Sequence, residues 1–410
     1  MSPHAQKRGM TAAVVEGALY TVWFSLLGNN FLTGFLLHMG ATESQVGLTA
    51  ALPPLASVVM VGAAYLLALL PRRRPFLMAN AYIHRVLWSL AGFIPMVLPQ
   101  SLWVWSFLAL FLLSSLALSL AIPAWQSIMA DMVPPQIRGS YFGVRSAVAQ
   151  ATAVLVTLVA GWWLDGHPGY AGFRDLYLWS LVAGVVNVSA FFWQPEPPYV
   201  RRPPESPMLH LTLPFRSTSF LWAIGFATAV TIASALVLPF YGVAMIKTMH
   251  LSYSLIARLM VVATVSGIVA NLTLARLLDR LGLHRVLGAL PALLALTPLL
   301  WLAIGPQSFA LLYLAHVLQG AGVAMQLLVL SNLNFGMSPR ADRPIYLAVF
   351  SSLSGLGGFV APIVGGWVLG RFGFTVLLWS AMGCCVAAAL LWQWRARAHV
   401  VETLGAQSEE

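Results

Sequence analysis

Apolar residues run along this chain in long continuous blocks, and short polar, basic or proline-rich breaks separate one block from the next. A hydrocarbon layer about 30 Å thick takes about twenty helical residues to cross. Blocks of that length lie near residues 12–37, 44–70, 76–98, 102–131, 140–164, 173–194, 218–246, 253–278, 284–304, 308–333, 344–370 and 373–395. The strands of a membrane barrel would alternate apolar and polar positions over about ten residues. Continuous blocks predict helices instead, which satisfy their own backbone hydrogen bonds in lipid. The pattern predicts an all-α membrane protein of twelve transmembrane helices.

The polar residues inside these blocks fall into stripes. In the first span Glu16, Tyr20, Trp23, Leu27, Asn30 and Gly34 recur at steps of three and four, which puts them on one helix face. His316, Gln319, Val323 and Gln326 do the same in the tenth, and shorter sets occur in the fourth (Ser115, Ser119, Gln126), fifth (Ser146, Gln150, Thr157), seventh (Thr231, Ser234, Tyr241) and eighth (Thr264, Asn271). Tyr20, Trp23, Asn30, Gln126, Gln150, Tyr241, Asn271, His316, Gln319 and Gln326 are therefore candidates for a substrate pathway. The competing reading is that such amides only join helices, at about 0.6–2 kcal/mol per hydrogen bond.

Ionisable groups in the spans are rarer, and each costs about 2.5–3.5 kcal/mol at the bilayer centre on insertion scales. Glu16, Arg85 (beside His84) and His316 are the candidates for coupling an ion to transport. Glu16 and Arg85 each lie several residues in from the same side, so an ion pair between them is geometrically open. The alternatives are an interfacial Glu16, an Arg85 that snorkels to headgroups, and a His316 that only bonds within the bundle.

Composition agrees with lipid as the solvent: hydrophobic residues make up 59% of 410, charged residues 8%, and mean hydropathy is +0.82. A soluble domain needs about a quarter of its residues charged. The net charge of +10 is scattered through short loops, without the continuous stripe a polyanion requires, so no nucleic-acid partner is expected. Seventeen of the 22 Lys and Arg residues fall in segments on one side, among them Lys7, Arg8, Arg72–Arg74, Arg138, Arg145, Arg280, Arg285 and Arg343. The positive-inside rule then places both termini in the cytoplasm, and short loops point to a bacterial inner membrane. Lys7 and Arg8 precede a block too long for a cleaved signal, so the first span is expected to stay. Adjacent Cys384 and Cys385 in an apolar block supply neither a disulfide framework nor metal spacing. No resident metal or cofactor is expected. A nucleotide-binding GxxxxGK[ST] is absent, as are HExxH and paired intramembrane aspartates, which leaves a receptor or membrane-embedded enzyme only as a remote alternative.

A proline-rich stretch at 195–216 divides the chain into an N-terminal six-helix bundle (1–194) and a C-terminal one (217–398), followed by a cytoplasmic tail (399–410). The halves are related. At an offset of 205, Arg138, Tyr141, Val144, Ser146, Gly161-Trp162 and Leu164 match Arg343, Tyr346, Val349, Ser351, Gly366-Trp367 and Leu369. Parallel repeats of this kind predict two pseudo-symmetric bundles with a site between them.

Residues 277–285, LLDRLGLHR, resemble the signature loop of the major facilitator superfamily, and VPPQIRGSYFGVRS at 133–146 resembles its loop between helices four and five. The resemblance implies the fold of that family, in which spans one, four, seven and ten line a central cavity. It also implies a cytoplasmic gate: Asp279 as the acidic member, Arg280 and Arg285 as the basic ones, Gly282 as the turn, with Arg138 and Arg343 in the repeated loop. The first half departs from the motif, since Ala68 and Pro71 replace the acid and the glycine and only Arg72, Arg73 and Arg74 remain. GGFVAPIVGGWVL at 357–369 resembles the glycine motif of the family's antiporters but lies in the eleventh span rather than the fifth. Gly355, Gly358, Gly366 and Gly370 are read there as close-packing positions.

The expected function is secondary active transport of a small solute by alternating access. A lining of amides and aromatics with little charge points to a neutral or lipophilic solute, with proton-coupled efflux as first reading and uptake of a neutral nutrient such as a sugar as second. The expected partners are the small-molecule substrate, membrane lipid and protons, and the chain is expected to act as a monomer.

Overall fold

The computed structural model describes residues 2–198, 213–305, 308–338 and 343–407, so most of the 195–216 linker and the end of the tail lie outside the described residues. Among the described residues the chain is helical, without strands. Ten helices are long and apolar enough to cross a membrane: His4–His38, Gln100–Met132, Pro135–Gly166, Tyr170–Trp193, Thr218–Thr248, Tyr253–Leu278, Arg280–Ala303, Phe309–Met337, Val349–Phe372 and Phe374–Trp394. The second and third spans of the expected set are present but interrupted. Glu43–Ala56 is opened by a Thr42–Gln45 capping box and passes through a short 3-10 turn at Ser57–Val59, after Pro53 and Pro54, into Met60–Leu69. Arg73–Leu90 carries Arg73, Arg74 and Arg85, and it tightens at Ala91–Phe93 before Ile94–Val97. Prolines interrupt the second span, and Arg73, Arg74 and Arg85 make the third less apolar than the others.

Two further breaks have identifiable causes. The first span stops at Leu27 and restarts at Asn29, with Gly28 extended between them and Asn29 at φ 55°. The seventh span runs Thr218–Ala235, turns, continues as Leu238–Val243 past Pro239, and ends in a π-helical turn at Ala244–Thr248. Spans eight and nine form one helical run, Tyr253–Ala303, bent at Gly282, whose φ of 77° and ψ of 155° leave the helical region.

The chain forms two compact units. Unit 1 comprises Met1–Ser206 together with Gly242–Arg258; unit 2 comprises Pro207–Tyr241 and Leu259–Glu410. The short segment Gly242–Arg258, at the joined ends of spans seven and eight, thus packs with unit 1 although it follows the linker. Unit 1 has a core of Ala13, Leu77, Ala81, Ala124, Met129 and Phe191, and unit 2 one of Phe220, Phe226, Leu290, Val329, Phe350 and Ala388.

Lipid tails are as apolar as leucine, so helices associate through close packing and hydrogen bonds rather than by escaping water. Unit 2 shows this at two glycines: a Cβ on Gly320 would lie 2.0 Å from the carbonyl oxygen of Ala263, and one on Gly365 would lie 2.1 Å from that of Leu236. In the eleventh span the close approach is therefore made at Gly365, with Gly357 beside Thr228 and Ile232, whereas Gly355 faces open space.

Candidate functional site

Unit 1 gathers charges from spans one, three and five around an amide of span six. Glu16 is 3% exposed, and its Oε2 accepts from Arg145 Nη2 of the fifth span at 3.2 Å. Asn187 of the sixth span donates its Nδ2 to the Glu16 backbone oxygen at 2.7 Å and to Oε1 at 3.3 Å. The other end of the same amide, Asn187 Oδ1, accepts from Arg85 Nε at 3.0 Å. Glu16 and Arg85 are thus linked through Asn187, and the direct partner of the carboxylate is Arg145. Both guanidiniums also lie over aromatic rings: Arg85 sits 4.9 Å from the Tyr20 centroid and 5.7 Å from that of Trp23, and Arg145 sits 4.9 Å from that of Trp125. Cation–π contacts of this kind strengthen when desolvated. Arg145 Nε additionally donates to the Ala13 carbonyl at 3.2 Å.

A second layer of hydrogen bonds holds this cluster from the side. Trp23, fully buried, donates Nε1 to Ser89 Oγ at 3.0 Å, and Ser89 and Ser180 hydroxyls lie 3.0 Å apart. His84 Nδ1 lies 2.7 Å from Ser114 Oγ, fixing the third span against the fourth. Spans one, three, four and six are therefore locked together by buried polar contacts on the flank of the Glu16 cluster.

The remaining candidates of the first half are half-buried or exposed: Asn30 and Gln150 are partly covered and Gln126 is exposed. Asn30 lies one residue past the break in span one, with its Oδ1 close against Gly242. A helix interrupted at mid-membrane exposes backbone polar groups that solutes and ions can use.

In unit 2, Tyr241 is 3% exposed and stacks on Trp301 with centroids 4.9 Å apart and planes 14° apart. His316 is buried, its Nδ1 lies 2.8 Å from the Leu312 carbonyl of its own helix, and its ring is 6.3 Å from Trp301. Tyr241 Oη, Trp301 Nε1 and Gln319 Oε1 are buried without a protein partner. Buried polar atoms of that kind call for water or a ligand. Gln326 is half-buried and Asn271 exposed.

At the signature loop, Gly282 makes the turn, and Arg280 and Arg285 are exposed. The side chains of Asp279 and Arg343 lie outside the described residues. Arg138 donates Nη2 to the carbonyls of Ala130 at 2.9 Å and Val133 at 3.3 Å, closing the end of the fourth helix. The first half carries a different assembly in place of the missing motif. Arg73 is fully buried, pairs with Asp131 at 2.5 Å and donates to Ser127 Oγ at 2.8 Å and the Pro197 carbonyl at 3.2 Å. The backbone amides of Arg73 and Arg74 both donate to Glu196 Oε1, at 2.6 and 3.2 Å.

Sequence reading passed over Arg145, Asn187, Asp131 and Glu196. Arg145 counts as a loop cation by charge bias, although it lies two turns inside the helix Arg138–Gly166. Asn187 is the one amide inside the sixth span before its terminal Gln194, a signal as strong as Gln150 but without a stripe around it.

The profile of the Major Facilitator Superfamily matches the chain twice, over residues 17–243 and 227–409. No curated protein matches it significantly. Among solved structures, a variant of the nucleoside transporter NupG is similar with a TM-score of 0.76 at 15% identity, covering 95% of this chain and 99% of that one. A D-xylose-proton symporter is similar with a TM-score of 0.73 at 16% identity, covering 93% of this chain and 96% of that one. A bacterial homologue of the iron transporter ferroportin, in an inward-facing state, is similar with a TM-score of 0.70 at 16% identity, covering 96% and 98%. At such identities the likeness establishes the fold, a twelve-helix arrangement of two bundles.

Proposed function

The chain belongs to the major facilitator superfamily, and on that premise we propose that it exports a small neutral or lipophilic solute by alternating access, driven by proton entry through Glu16. As a member of that family it is a multi-pass membrane transporter rather than an enzyme. We place it in a bacterial inner membrane with both termini in the cytoplasm, because the cations concentrate on that side.

The observation that carries the reading is the position of Glu16. It is the one carboxylate among the buried residues described, and it answers two guanidiniums: Arg145 directly and Arg85 through Asn187. A proton on Glu16 removes the negative charge and leaves Arg145 without its ionic partner. At an effective dielectric of about 20, a charge pair near 4 Å is worth about 4 kcal/mol. That is enough to shift two conformations poised within a few kcal/mol of one another. Arg145 reaches Glu16 from the fifth span and stacks on Trp125 of the fourth, so loss of the pair loosens span one from both.

The solute class follows from what is left over. The cluster sets two guanidiniums against one carboxylate and holds both over aromatic rings, while Asn30, Gln126, Gln150, Gln319 and Gln326 offer only neutral donors and acceptors. A phosphate or dicarboxylate would need cations among those lining side chains. The second reading, uptake of a hydroxyl-bearing nutrient such as a sugar, draws on the broken helix beside Asn30, whose free backbone groups suit hydroxyls.

Flux of a lipophilic dye and of a radiolabelled sugar in proteoliposomes, with and without an imposed pH gradient, tests both. Gradient-driven dye movement in the wild-type protein, lost in Glu16→Gln while gradient-free exchange persists, is the expected result. Equal gradient drive in Glu16→Gln would remove Glu16 from the coupling role, and sugar accumulation without dye movement would favour uptake.

A further inference from the structure

At the end of unit 1 opposite Arg73 and Arg138, the turns that join spans one to two and three to four line a cavity of about 390 Å³ that opens at the surface. Local sequence builds each turn. Span one ends in a Schellman turn: Gly40, at φ 82°, donates its amide to the Leu37 carbonyl at 3.0 Å, and Ala41 donates to that of Leu36 at 2.9 Å. Span two then starts on the Thr42–Gln45 capping box, in which Gln45 Oε1 accepts from the Thr42 amide at 2.9 Å and from its hydroxyl at 3.2 Å. On the other wall Pro99 opens a single 3-10 turn, Gln100–Leu102, that leads into Trp103–Met132.

The walls are neutral. Among the described residues no charged side chain lines the cavity, so nothing there would hold a phosphate or carboxylate. Buried Met39 and Val104 supply an apolar floor. Gln100, Ser101 and Trp105 stand exposed around it and make no side-chain hydrogen bond among the described residues. The oxygen of Gln45 is committed to Thr42, which fixes the amide and leaves its NH2 group as a donor. Trp105 is 59% exposed, and so is much of Leu102, one turn before it. An indole presents an apolar face of negative potential with an N–H at its edge. Amides, a hydroxyl and an indole face together suit a ring with hydroxyls on its rim and C–H groups on its faces, as in a sugar. The volume lies in the range of small-molecule sites. The platform is also particular to the first half. At the offset of 207 that carries Pro99-Gln100-Ser101 onto Pro306-Gln307-Ser308, Trp105 falls on Leu312, which is fully buried, so the fold does not require an aromatic residue there.

We infer that this cavity binds the neutral sugar headgroup of a membrane amphiphile. The headgroup lies against Gln45, Gln100, Ser101 and Trp105, and the hydrocarbon passes over Leu102 into the bilayer. The site goes beyond the proposed carrier and depends neither on the solute carried nor on the role of Glu16.

In the test, the full chain in nanodiscs of phosphatidylethanolamine and phosphatidylglycerol is offered monoglucosyl diacylglycerol or diacylglycerol with the same acyl chains. Native mass spectrometry reads which lipid is retained. The expected result is preferential retention of the glucosyl lipid, reduced about tenfold in Gln100→Leu and in Trp105→Leu, the size of one good contact. Both positions are exposed, so neither substitution threatens folding. Trp162→Leu is the control: Trp162 is exposed on span five and does not line the cavity, and its loss should leave the preference intact. Equal retention of the two lipids overturns the site, as does a preference that survives both Gln100→Leu and Trp105→Leu. A preference lost equally in Trp162→Leu overturns it too, because interfacial tryptophans in general would then be responsible. Methyl glucoside separates the sources of the sugar. Displacement of the lipid only by a large excess of methyl glucoside is expected; binding as tight as that of the lipid, abolished by the same two variants, would make the occupant a free sugar and overturn the amphiphile.

Discussion

At the scale of single residues, Asn187 shows how one neutral amide can hold two opposite charges in lipid. Its Oδ1 serves Arg85 and its Nδ2 serves Glu16, and the residue is fully buried. Replacing it by leucine leaves the Arg85 Nε–H without its acceptor, at about 1–3 kcal/mol for a buried unsatisfied group. Asn187→Leu is therefore expected to lower the melting midpoint in detergent, while Asn332→Leu, at an exposed position, leaves it within the scatter of surface changes. Fluorescence-detected size-exclusion after heating reads the difference. Glu43 offers a pH test. The hydrogen bond from Lys247 holds its carboxyl below the usual carboxylate range. A lowered carboxylate contributes stability above its ordinary value of about 4.3, and that contribution is lost as pH falls through the folded-state value. The midpoint advantage of the wild type over Glu43→Gln should hold at neutral pH and disappear as acidification passes through the lowered folded-state value. An advantage that persists there would mean that charge is not what Glu43 contributes.

At the scale of elements, the spans are placed by backbone contact as much as by side-chain complementarity. Gly320 meets the Ala263 carbonyl directly, so Gly320→Ala forces the tenth and eighth spans apart. Overpacking of this kind costs about 1–3 kcal/mol. Gly355, with nothing near it, should accept alanine and gain from the better helix propensity, up to about 1 kcal/mol. Opposite shifts of the two melting midpoints are expected; equal losses would mean that helix approach in the eleventh span is tighter than its geometry implies. The same comparison explains a difference from the sequence pattern. Small residues spaced along span eleven mark it as a close-packing helix, but which glycines touch depends on its rotation: Gly357 and Gly365 make contact and Gly355 does not.

At the scale of the molecule, the two halves differ at the loop between their second and third spans. The second half retains the signature loop with its Gly282 turn, and the first half substitutes a buried Arg73 tied to Asp131, Ser127 and the chain after span six. Arg73→Ala removes a buried guanidinium and its bonds to Asp131, Ser127 and the Pro197 carbonyl, while the Asp131 left behind is half-exposed. A cost of about 1.5–3 kcal/mol is expected, the range for hydrogen bonds to a charged group, with a lower yield as well as midpoint. Asp279→Asn is expected to act differently, shifting the balance of conformations while leaving the midpoint near that of the wild type. Cysteines introduced along the cytoplasmic ends of spans four and ten would report it, and accessibility unchanged by Asp279→Asn would reject a latch at that position.

Hydropathy determined the number and helical form of the spans, because lipid imposes a local rule of length and apolarity that each segment must meet by itself; matched residues at an offset of 205 carried the repeat, and the motif at 277–285 carried the resemblance to the family. The stripe through Glu16, Tyr20 and Trp23 was legible for the same reason, since a helix face is a matter of spacing. Tertiary structure alone decided that Glu16 meets Arg145 and reaches Arg85 only through Asn187, and that the tip of spans seven and eight lies on unit 1. Pairings of that kind depend on the depth, rotation and bending of separate helices, and none of these is encoded in the periodicity of any one of them.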